Sequence, residues 1–124
     1  MATILVADDV PGQRMILDML LSVDGYDVHL VEDGLEALQY LKDNTPDLAI
    51  LDVKMPNVNG IEVCLRMKRN VRLRDVPVVM LTALRDDTTK AEIRAAKAEA
   101  LIYKPLEGKD FRETVKSLLN STAV

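Results

Sequence analysis

Polar side chains that can take part in chemistry follow four of the short apolar segments of this 124-residue chain. Asp8 and Asp9 follow the first segment, Asp52 follows the third, Thr82 ends the fourth and Lys104 follows the fifth. If these segments are parallel strands of one sheet, their carboxyl ends lie along a single edge, which is where sites form in open sheets of this kind. The sequence therefore predicts that three carboxylates, one hydroxyl and one ammonium group meet there.

Such a set of charges needs a counter-ion. Two carboxylates about 4 Å apart repel each other by about 4 kcal/mol at an effective dielectric constant near 20, and Lys104 offsets only part of this repulsion. Oxygen ligands without a histidine or cysteine nearby in the sequence favour a hard cation, above all Mg²⁺. Because Mg²⁺ keeps several waters and completes its shell on phosphate, we expect phosphoryl chemistry.

Each residue of the set has a simpler interpretation when it is taken alone. An aspartate at the end of a strand more often caps a helix or forms a turn than binds a metal. Thr82 fits a cap for the turn that follows it, and Lys104 fits a solvated strand end. A common site explains the set better, because these residues occur at the ends of four different strands.

Five apolar runs at roughly even spacing define the predicted strands. Most are continuous in apolar residues, which is typical of strands buried on both faces of a parallel sheet, and the second, ending near Glu32, is the peripheral one. Segments with helical spacing separate the runs, so the sequence predicts a doubly wound α/β fold with five strands and helices on both faces. The runs are Ile4–Ala7, Val28–Val31, Leu48–Leu51, Val76–Leu81 and Leu101–Tyr103.

The predicted helices differ in their apolar content. The first begins at Pro11, and its apolar spacing includes Ile16; the last begins at Asp110 and leaves residues 120–124 as a short tail. The fourth, about Thr88–Ala98, has Ile93 as its only large apolar residue beside several alanines. Since alanine buries little area, at roughly 25 cal/mol per Å², this helix is either weakly docked or an ordinary surface helix of high propensity.

Bulk composition limits the possible classes of function. With 48% hydrophobic residues the chain can bury a core as one domain over residues 1–124. The net charge of −4 argues against direct nucleic-acid binding. Cys64 is the only cysteine, so no internal disulfide can form, which fits a reducing compartment. The first apolar run ends at Asp8 and is too short for a signal peptide or a membrane span. We therefore expect a cytoplasmic protein without membrane contact.

Together the polar motifs resemble the receiver domain of bacterial response regulators, which act in two-component signalling. The resemblance covers essentially the whole chain, and it implies a flavodoxin-like three-layer sandwich with strand order 2-1-3-4-5. It also implies that residues 1–124 form a single receiver domain. The residues that carry it are Asp8-Asp9, the run Asp-Val-Lys-Met-Pro-Asn-Val-Asn-Gly from Asp52 to Gly60, Thr82-Ala83 and Lys104-Pro105.

The resemblance implies a role for each carboxylate of the set. Asp52 would be the phosphoacceptor, taking a phosphoryl group from a histidine phosphate. Asp9 and Asp52 would bind Mg²⁺ directly, and the backbone carbonyl of Lys54 would be a third protein ligand. Asp8 would act through water.

The other implied roles concern the phosphoryl oxygens and the response to them. Lys104 would pair with these oxygens, and the Thr82 hydroxyl would donate a hydrogen bond to one of them. The peptide bond before Pro105 is usually cis in the family. The added charge would draw Thr82 inward, repack the loop that begins at Ala83 and shift the fourth helix.

Two departures from the family pattern lie in the switch region. Leu101 stands where the family often has an aromatic residue, three positions before the lysine, and Tyr103 is not equivalent to it. Lys97 and Ala98 stand where Gly-Ala is common. Threonine-centred movement is therefore expected here, whereas aromatic switching is not.

As a receiver, the chain is expected to be a switch and not a turnover enzyme: it would catalyse its own phosphorylation and slow hydrolysis of the aspartyl phosphate. Its partners would be a histidine kinase or a histidine phosphotransfer protein. A downstream protein would bind through the fourth helix, fifth strand and fifth helix. We expect a monomer or weak dimer.

Two other functions compete with this one. A receiver fold that binds proteins without being phosphorylated is disfavoured by the intact acidic set with Thr82 and Lys104. Phosphatases with an aspartate nucleophile typically show Asp-x-Asp after the first strand, a pattern that Asp8-Asp9-Val10 lacks.

Five basic residues between Arg66 and Arg74 are either a solvated helix end or a docking patch for an acidic partner. His29 is interpreted as an ordinary strand residue, and Cys64 as part of the core or its margin.

Overall fold

The computed structural model describes residues 1–121, in which strands and helices alternate along the chain. The strands are β1 (Thr3–Ala7), β2 (Asp27–Val31), β3 (Leu48–Asp52), β4 (Val78–Thr82) and β5 (Ala100–Tyr103). The helices are α1 (Pro11–Val23), α2 (Gly34–Asp43), α3 (Gly60–Lys68), α4 (Asp87–Ala95) and α5 (Gly108–Ser121).

All strand pairs are parallel, and the order in the sheet is β2-β1-β3-β4-β5. Alternate residues of β1 face opposite sides: Leu5 packs in a core with α2, α3 and α4, whereas Val6 packs in a second core with α1 and α5. The sandwich therefore has three layers. The predicted doubly wound α/β fold and the implied strand order are both confirmed.

Burial along the strands follows their place in the sheet. Every residue of the central strand β3 is buried, whereas β2 lies at an edge and is largely exposed, as predicted for the second strand. Strand β4 begins at Val78 and not at Val76. Pro77 stands between them and has no N–H to donate to a ladder, so it lies just outside the strand.

Helix α1 packs on the sheet through Leu17 and Leu21. Ile16, part of the predicted apolar spacing, is half exposed, and Met15 and Met19 are also exposed. The predicted helix is present, but Ile16 lies outside its buried face. Apolar residues occupy more than one face of this helix, and only the face that carries Leu17 packs on the sheet.

Helix α4 ends at Ala95, three residues before the predicted Ala98, because Lys97 takes a left-handed φ of 65°. This is the position after a helix at which glycine is favoured. Ile93 is buried, but Ala91 and Ala95 are exposed, so the predicted alanine side of this helix is only partly in the core.

Helix α5 continues to Ser121, further than the predicted start of the tail at residue 120, and residues 122–124 of that tail lie outside the described residues. Phe111 and Val115 are buried, as its apolar stripe predicts. Within residues 1–121, none of the helices combines the length and apolar character that a transmembrane span needs.

Much of the basic cluster between residues 66 and 74 has partners within the chain. Lys68 Nζ lies 2.8 Å from a carboxylate oxygen of Glu99, and Arg66 Nε lies 3.0 Å from Glu62. The Arg72 guanidinium donates hydrogen bonds to backbone carbonyls at the carboxyl end of α2. These contacts argue against a docking patch, and they differ from the first interpretation, a solvated helix end, because Lys68 and Arg72 are engaged by partners within the chain.

His29 and Cys64 are accounted for by ordinary contacts. The His29 ring stacks on Tyr40 with centroids 4.2 Å apart, on the exposed edge strand. Cys64 is buried, and its Sγ donates to the carbonyl oxygen of Ala96 at 3.4 Å. Burial raises the pKa of the Cys64 thiol to about 11, so it stays protonated at neutral pH.

Candidate functional site

Three carboxylates meet at the carboxyl edge of the sheet, as predicted. One oxygen from each of Asp8, Asp9 and Asp52 can be chosen so that all lie within 4.8 Å of one another. Asp8 is fully buried and Asp52 is 5% exposed, whereas Asp9 is exposed. The cluster therefore has a buried floor and one side open to solvent.

Lys104 joins this cluster from the end of β5. Its Nζ lies 2.8 Å from Asp52 Oδ2 and 3.3 Å from Asp8 Oδ2. The Lys104 N–H donates to the Thr82 carbonyl at 2.9 Å, which continues the β4–β5 pairing by one residue. The Lys104–Pro105 peptide bond is cis, the isomer that the family resemblance implies.

The charges of the site are unequally compensated. Burial raises the pKa of Asp52, and this effect outweighs the opposing hydrogen bond and charge of Lys104. Burial alone would lower the pKa of Lys104, but the hydrogen bond and charge of Asp52, with those of Asp8, raise it overall. One ammonium group thus stays charged, but it does not balance three clustered carboxylates.

The donor set fits a magnesium ion. Its side-chain ligands are carboxylate oxygens, and the clustered geometry leaves negative charge that a hard cation would neutralise. Asp8 already has protein partners on both oxygens, because Oδ1 accepts from the Val10 N–H at 2.9 Å and Oδ2 faces Lys104. Asp52 also has a partner on each oxygen, because Oδ1 accepts from the Lys54 N–H at 3.3 Å and Oδ2 lies 2.8 Å from Lys104 Nζ. The exposed Asp9 is therefore the carboxylate that is most open to a metal arriving from solvent.

The loop between β3 and α3 is packed closely against Asp52. The Lys54 N–H donates to Asp52 Oδ1 at 3.3 Å, and the Gly60 N–H donates to the Val53 carbonyl at 3.0 Å. A Cβ atom on Gly60 would lie 2.1 Å from the Asp52 carbonyl oxygen. Only glycine allows α3 to begin this close to the strand that carries Asp52.

The opposite loop, between β4 and α4, carries the predicted hydroxyl. Thr82 is buried, and its Oγ1 accepts a hydrogen bond from the Leu84 N–H at 3.0 Å. Ala83 is exposed. The Arg85 guanidinium lies 4.1 Å from the centre of the Tyr103 ring, so an aromatic residue of β5 does contact this loop.

Leu101 lies two residues before Tyr103 and packs at the margin of the core formed by α2, α3 and α4. It is half-buried, and Tyr103 is too. In a strand, residues two apart point to the same face. Tyr103, which is not equivalent to the aromatic position of the family, is the residue of this strand that contacts Arg85.

Sequence reasoning missed three residues beside the site. Arg14 Nη1 donates to the Asp8 carbonyl at 2.7 Å, and Asn57 Nδ2 donates to Asp33 Oδ2 at 3.0 Å. A partial signal existed for Asp33, because Asp-Gly before a helical pattern marks an N-cap. For Arg14 and Asn57 the partner lies in another loop, so no local pattern indicates the contact.

Comparison with known proteins agrees with this geometry. Residues 4–116 match the family described as the response regulator receiver domain, and the chain belongs to that family. It is 34% identical over 118 residues to the polar-differentiation response regulator DivK of Brucella anthropi, with 95% of either chain covered. DivK is a relative of similar length, so the similarity spans nearly all of both proteins.

Other relatives are longer. The chain is 39% identical over 116 residues to a probable transcriptional regulator, ycf27, of Porphyridium aerugineum, and it spans about half the length of the transcriptional regulators that it matches. Among solved structures, the signal receiver domain of a signal transduction histidine kinase from Syntrophus aciditrophicus superposes with a TM-score of 0.93. That match has 34% identity and covers 98% of this chain and 92% of that one.

Proposed function

We propose that this receiver domain accepts a phosphoryl group on Asp52 from a histidine phosphate, with Mg²⁺ bound at the acidic cluster. The observation that carries the proposal is the convergence of Asp8, Asp9 and Asp52 with Lys104, whose Nζ lies 2.8 Å from Asp52 Oδ2. Asp52 is buried but lies next to the exposed Asp9, so an incoming phosphoryl group reaches it from the solvent side.

In the proposed reaction a carboxylate oxygen of Asp52 forms a bond to phosphorus while the P–N bond to the donor imidazole breaks. The electron pair of that bond stays on the leaving nitrogen, and the product is an aspartyl phosphate. Asp9, Asp52 and the Lys54 carbonyl would hold Mg²⁺, and Asp8 would act through water. The bound ion would neutralise negative charge on the phosphoryl oxygens. Lys104 then pairs with a phosphoryl oxygen as its contact with Asp52 changes.

The proposed output is a change on the α4–β5–α5 surface. The phosphoryl group adds roughly 1.5 to 2 negative charges if it behaves like other protein phosphates. The Thr82 hydroxyl would donate to it, which alters the Thr82–Leu84 contact and the loop that begins at Ala83. Because α4 follows this loop, a downstream protein would read the shift there, and the domain acts as a switch and not as a turnover enzyme.

An exposed apolar face of α1 supports a protein as the phosphodonor. Val10 directly follows Asp9, and Val10, Met15, Ile16 and Met19 are each at least half exposed. Exposed apolar groups that adjoin a site mark protein contacts. We propose that a histidine kinase or a histidine phosphotransfer protein docks there, in the cytoplasm, where this family typically works, and that the domain itself is a monomer or weak dimer.

Acetyl phosphate with Mg²⁺ tests the chemistry without a protein partner. We expect the intact mass to rise by one phosphoryl group in the wild type and not in Asp52→Asn. If neither acetyl phosphate nor beryllofluoride with Mg²⁺ changes the mass or the amide spectrum, the domain is a binding module that is not phosphorylated. A mass change that survives in Asp52→Asn would refute the assignment of the acceptor.

Profiling against the source organism's histidine kinases tests the docking face. Met15→Lys and Met19→Lys should slow transfer from the kinase that phosphorylates the wild type by roughly tenfold, as loss of an interface anchor does. Phosphorylation by acetyl phosphate should be unchanged, because that donor needs no protein surface. Equal slowing with both donors would indicate damage to the site and not lost docking.

A further inference from the structure

The first turn of α2 is fitted tightly against the loop between β3 and α3. A Cβ atom on Gly34 would lie 1.8 Å from the carbonyl oxygen of Val58, so the two backbones touch only because residue 34 is glycine. The residues that directly precede Gly34 and Val58 are also in contact: Asn57 Nδ2 donates a hydrogen bond to Asp33 Oδ2 at 3.0 Å. A polar contact and a steric contact thus hold the loop at the same point.

Both partners of this hydrogen bond are themselves fixed. Asp33 is the N-cap of α2, and its Oδ1 accepts from the Glu36 N–H at 2.8 Å. Asn57 takes a left-handed φ of 69°, a conformation that asparagine tolerates better than most residues. The Val58 N–H donates to the Pro56 carbonyl at 2.8 Å, which closes a tight turn around Asn57.

The contact is the end of a chain of polar contacts around one side of the acidic cluster. Arg14 Nη1 donates to the Asp8 carbonyl at 2.7 Å, and its Nη2 lies 3.4 Å from Glu32 Oε1. Glu32 directly precedes Asp33, which accepts from Asn57. Loops after β1, β2 and β3 are therefore linked, and the third of these loops also carries Lys54, three residues before Asn57.

We propose that Asn57 and Asp33 are positioning residues for the metal site: their hydrogen bond holds the β3–α3 loop so that the Lys54 carbonyl can complete the protein ligands of Mg²⁺. This inference rests on the proposed function, because that function supplies the role of the carbonyl. The two residues touch neither the metal nor the phosphoryl group. They act through the loop that α2 anchors.

Mg²⁺ binding without any phosphodonor tests the inference. Titration of MgCl₂, followed by the amide signals of residues 7–9, 53–55 and 57–59, gives the dissociation constant of the folded protein for Mg²⁺. Asn57→Gly keeps the left-handed φ and the net charge but removes the amide. We expect it to bind Mg²⁺ about fivefold more weakly, the factor that corresponds to one net hydrogen bond.

An exchange of the two side chains gives the rescue. In Asp33→Asn with Asn57→Asp, the amide at position 33 can donate to the carboxylate at position 57, the net charge is kept, and asparagine still caps α2. This double variant should restore the wild-type Mg²⁺ affinity. Asn44→Ala is the matched control, because it removes an amide hydrogen bond to the Tyr40 carbonyl at the other end of α2 and should leave the affinity unchanged.

The outcomes separate this inference from the proposed function. A wild type that fails to bind Mg²⁺ refutes both. A wild type that binds Mg²⁺ while Asn57→Gly binds equally well overturns only the positioning role, and so does a double variant that stays as weak as Asn57→Gly. Since the affinity is read from signals of folded protein, a change in stability by itself does not imitate the expected result.

Discussion

The two loops that flank Asp52 are held by different means. The β3–α3 loop is fixed by close backbone contacts at Gly34 and Gly60 and by the Asn57–Asp33 hydrogen bond. The β4–α4 loop is held by the Thr82–Leu84 bond and by an exposed arginine stacked on Tyr103. The side proposed to hold the metal is thus braced by backbone contacts, whereas the side proposed to respond is held by side-chain contacts: the Thr82 hydroxyl, the half-buried Leu84 at the margin of the core, and Arg85 on Tyr103.

The helices that follow these loops repeat the difference. Both are nine residues long, yet α3 buries Gly60, Ile61, Val63, Cys64 and Met67, whereas the buried residues of α4 are Thr89 and Ile93. Since burial supplies most of a helix's tertiary stabilisation, α4 should move at a lower cost. A fixed side, proposed to bind the metal, next to a more weakly packed side, proposed to carry the output, would suit the proposed switch.

The largest expected effect comes from filling the backbone contacts of the braced side. Gly34→Ala and Gly60→Ala should each lower the free energy of unfolding by about 3 kcal/mol, because the new methyl group meets a backbone carbonyl that cannot move alone. Gly12→Ala is the control: nothing lies within 4 Å of its Cβ position, and this helical site should gain about 0.5 to 1 kcal/mol. Urea denaturation measures the free energy of unfolding of all three variants. Similar changes in the three would contradict the role of Gly34 and Gly60 in the close backbone contacts.

Amide exchange compares the two helices directly. We expect the amide protons of α4 to exchange roughly tenfold faster than those of α3, because less apolar area must be exposed to open it. The equal length of the two helices removes length as an explanation. Protection of α4 equal to that of α3 or α5 would show that its small buried face docks as firmly as theirs.

Neutralising Asp52 should stabilise the protein in the absence of Mg²⁺. A carboxyl group whose pKa is raised by folding stabilises the fold while it is protonated, and that contribution is lost as pH rises through its folded-state pKa. Asp52→Asn should therefore be more stable than wild type by roughly 1 kcal/mol near neutral pH, as is common at strained functional sites.

The pH dependence checks the cause of that gain. The gap between Asp52→Asn and wild type should shrink as pH falls towards 3.8, the ordinary pKa of an aspartate, because wild-type Asp52 is then protonated. Urea titrations from about pH 4 to about pH 7 measure the gap. A gap that does not change with pH would mean that side-chain packing, and not charge, distinguishes the two proteins.

The smallest expected effect concerns the Arg85–Tyr103 contact on the adjustable side. A double-mutant cycle with Arg85→Ala and Tyr103→Leu should give a coupling free energy of about 0.5 kcal/mol, the size of an exposed cation–π contact. Tyr103→Phe keeps the aromatic face and should keep the coupling. A coupling free energy several times larger would mean that the β4–α4 loop is held as firmly as the β3–α3 loop, and the proposed difference between the two loops would be wrong.

The layers of the fold and the members of the site can be predicted from the order of residues along the chain. Continuous apolar runs indicate strands buried on both faces, and a polar residue at the end of such a run must lie at the sheet edge. Asp8, Asp9, Asp52 and Lys104 therefore meet as predicted. The order of the strands followed from the family resemblance, since periodicity does not record which strands are neighbours.

Three features are visible only in the folded protein: which apolar face of α1 meets the sheet, the left-handed Lys97 that ends α4, and the contacts between the loops around the acidic cluster. Apolar spacing marks an apolar stripe but does not choose between two stripes on one helix, and the structure shows that Leu17 faces the sheet while Ile16 is half exposed. Asn57 and Asp33 are 24 residues apart, and their contact exists because folding brings two loops together. Local patterns specify what each segment is, whereas contacts between distant loops depend on the packing of the whole.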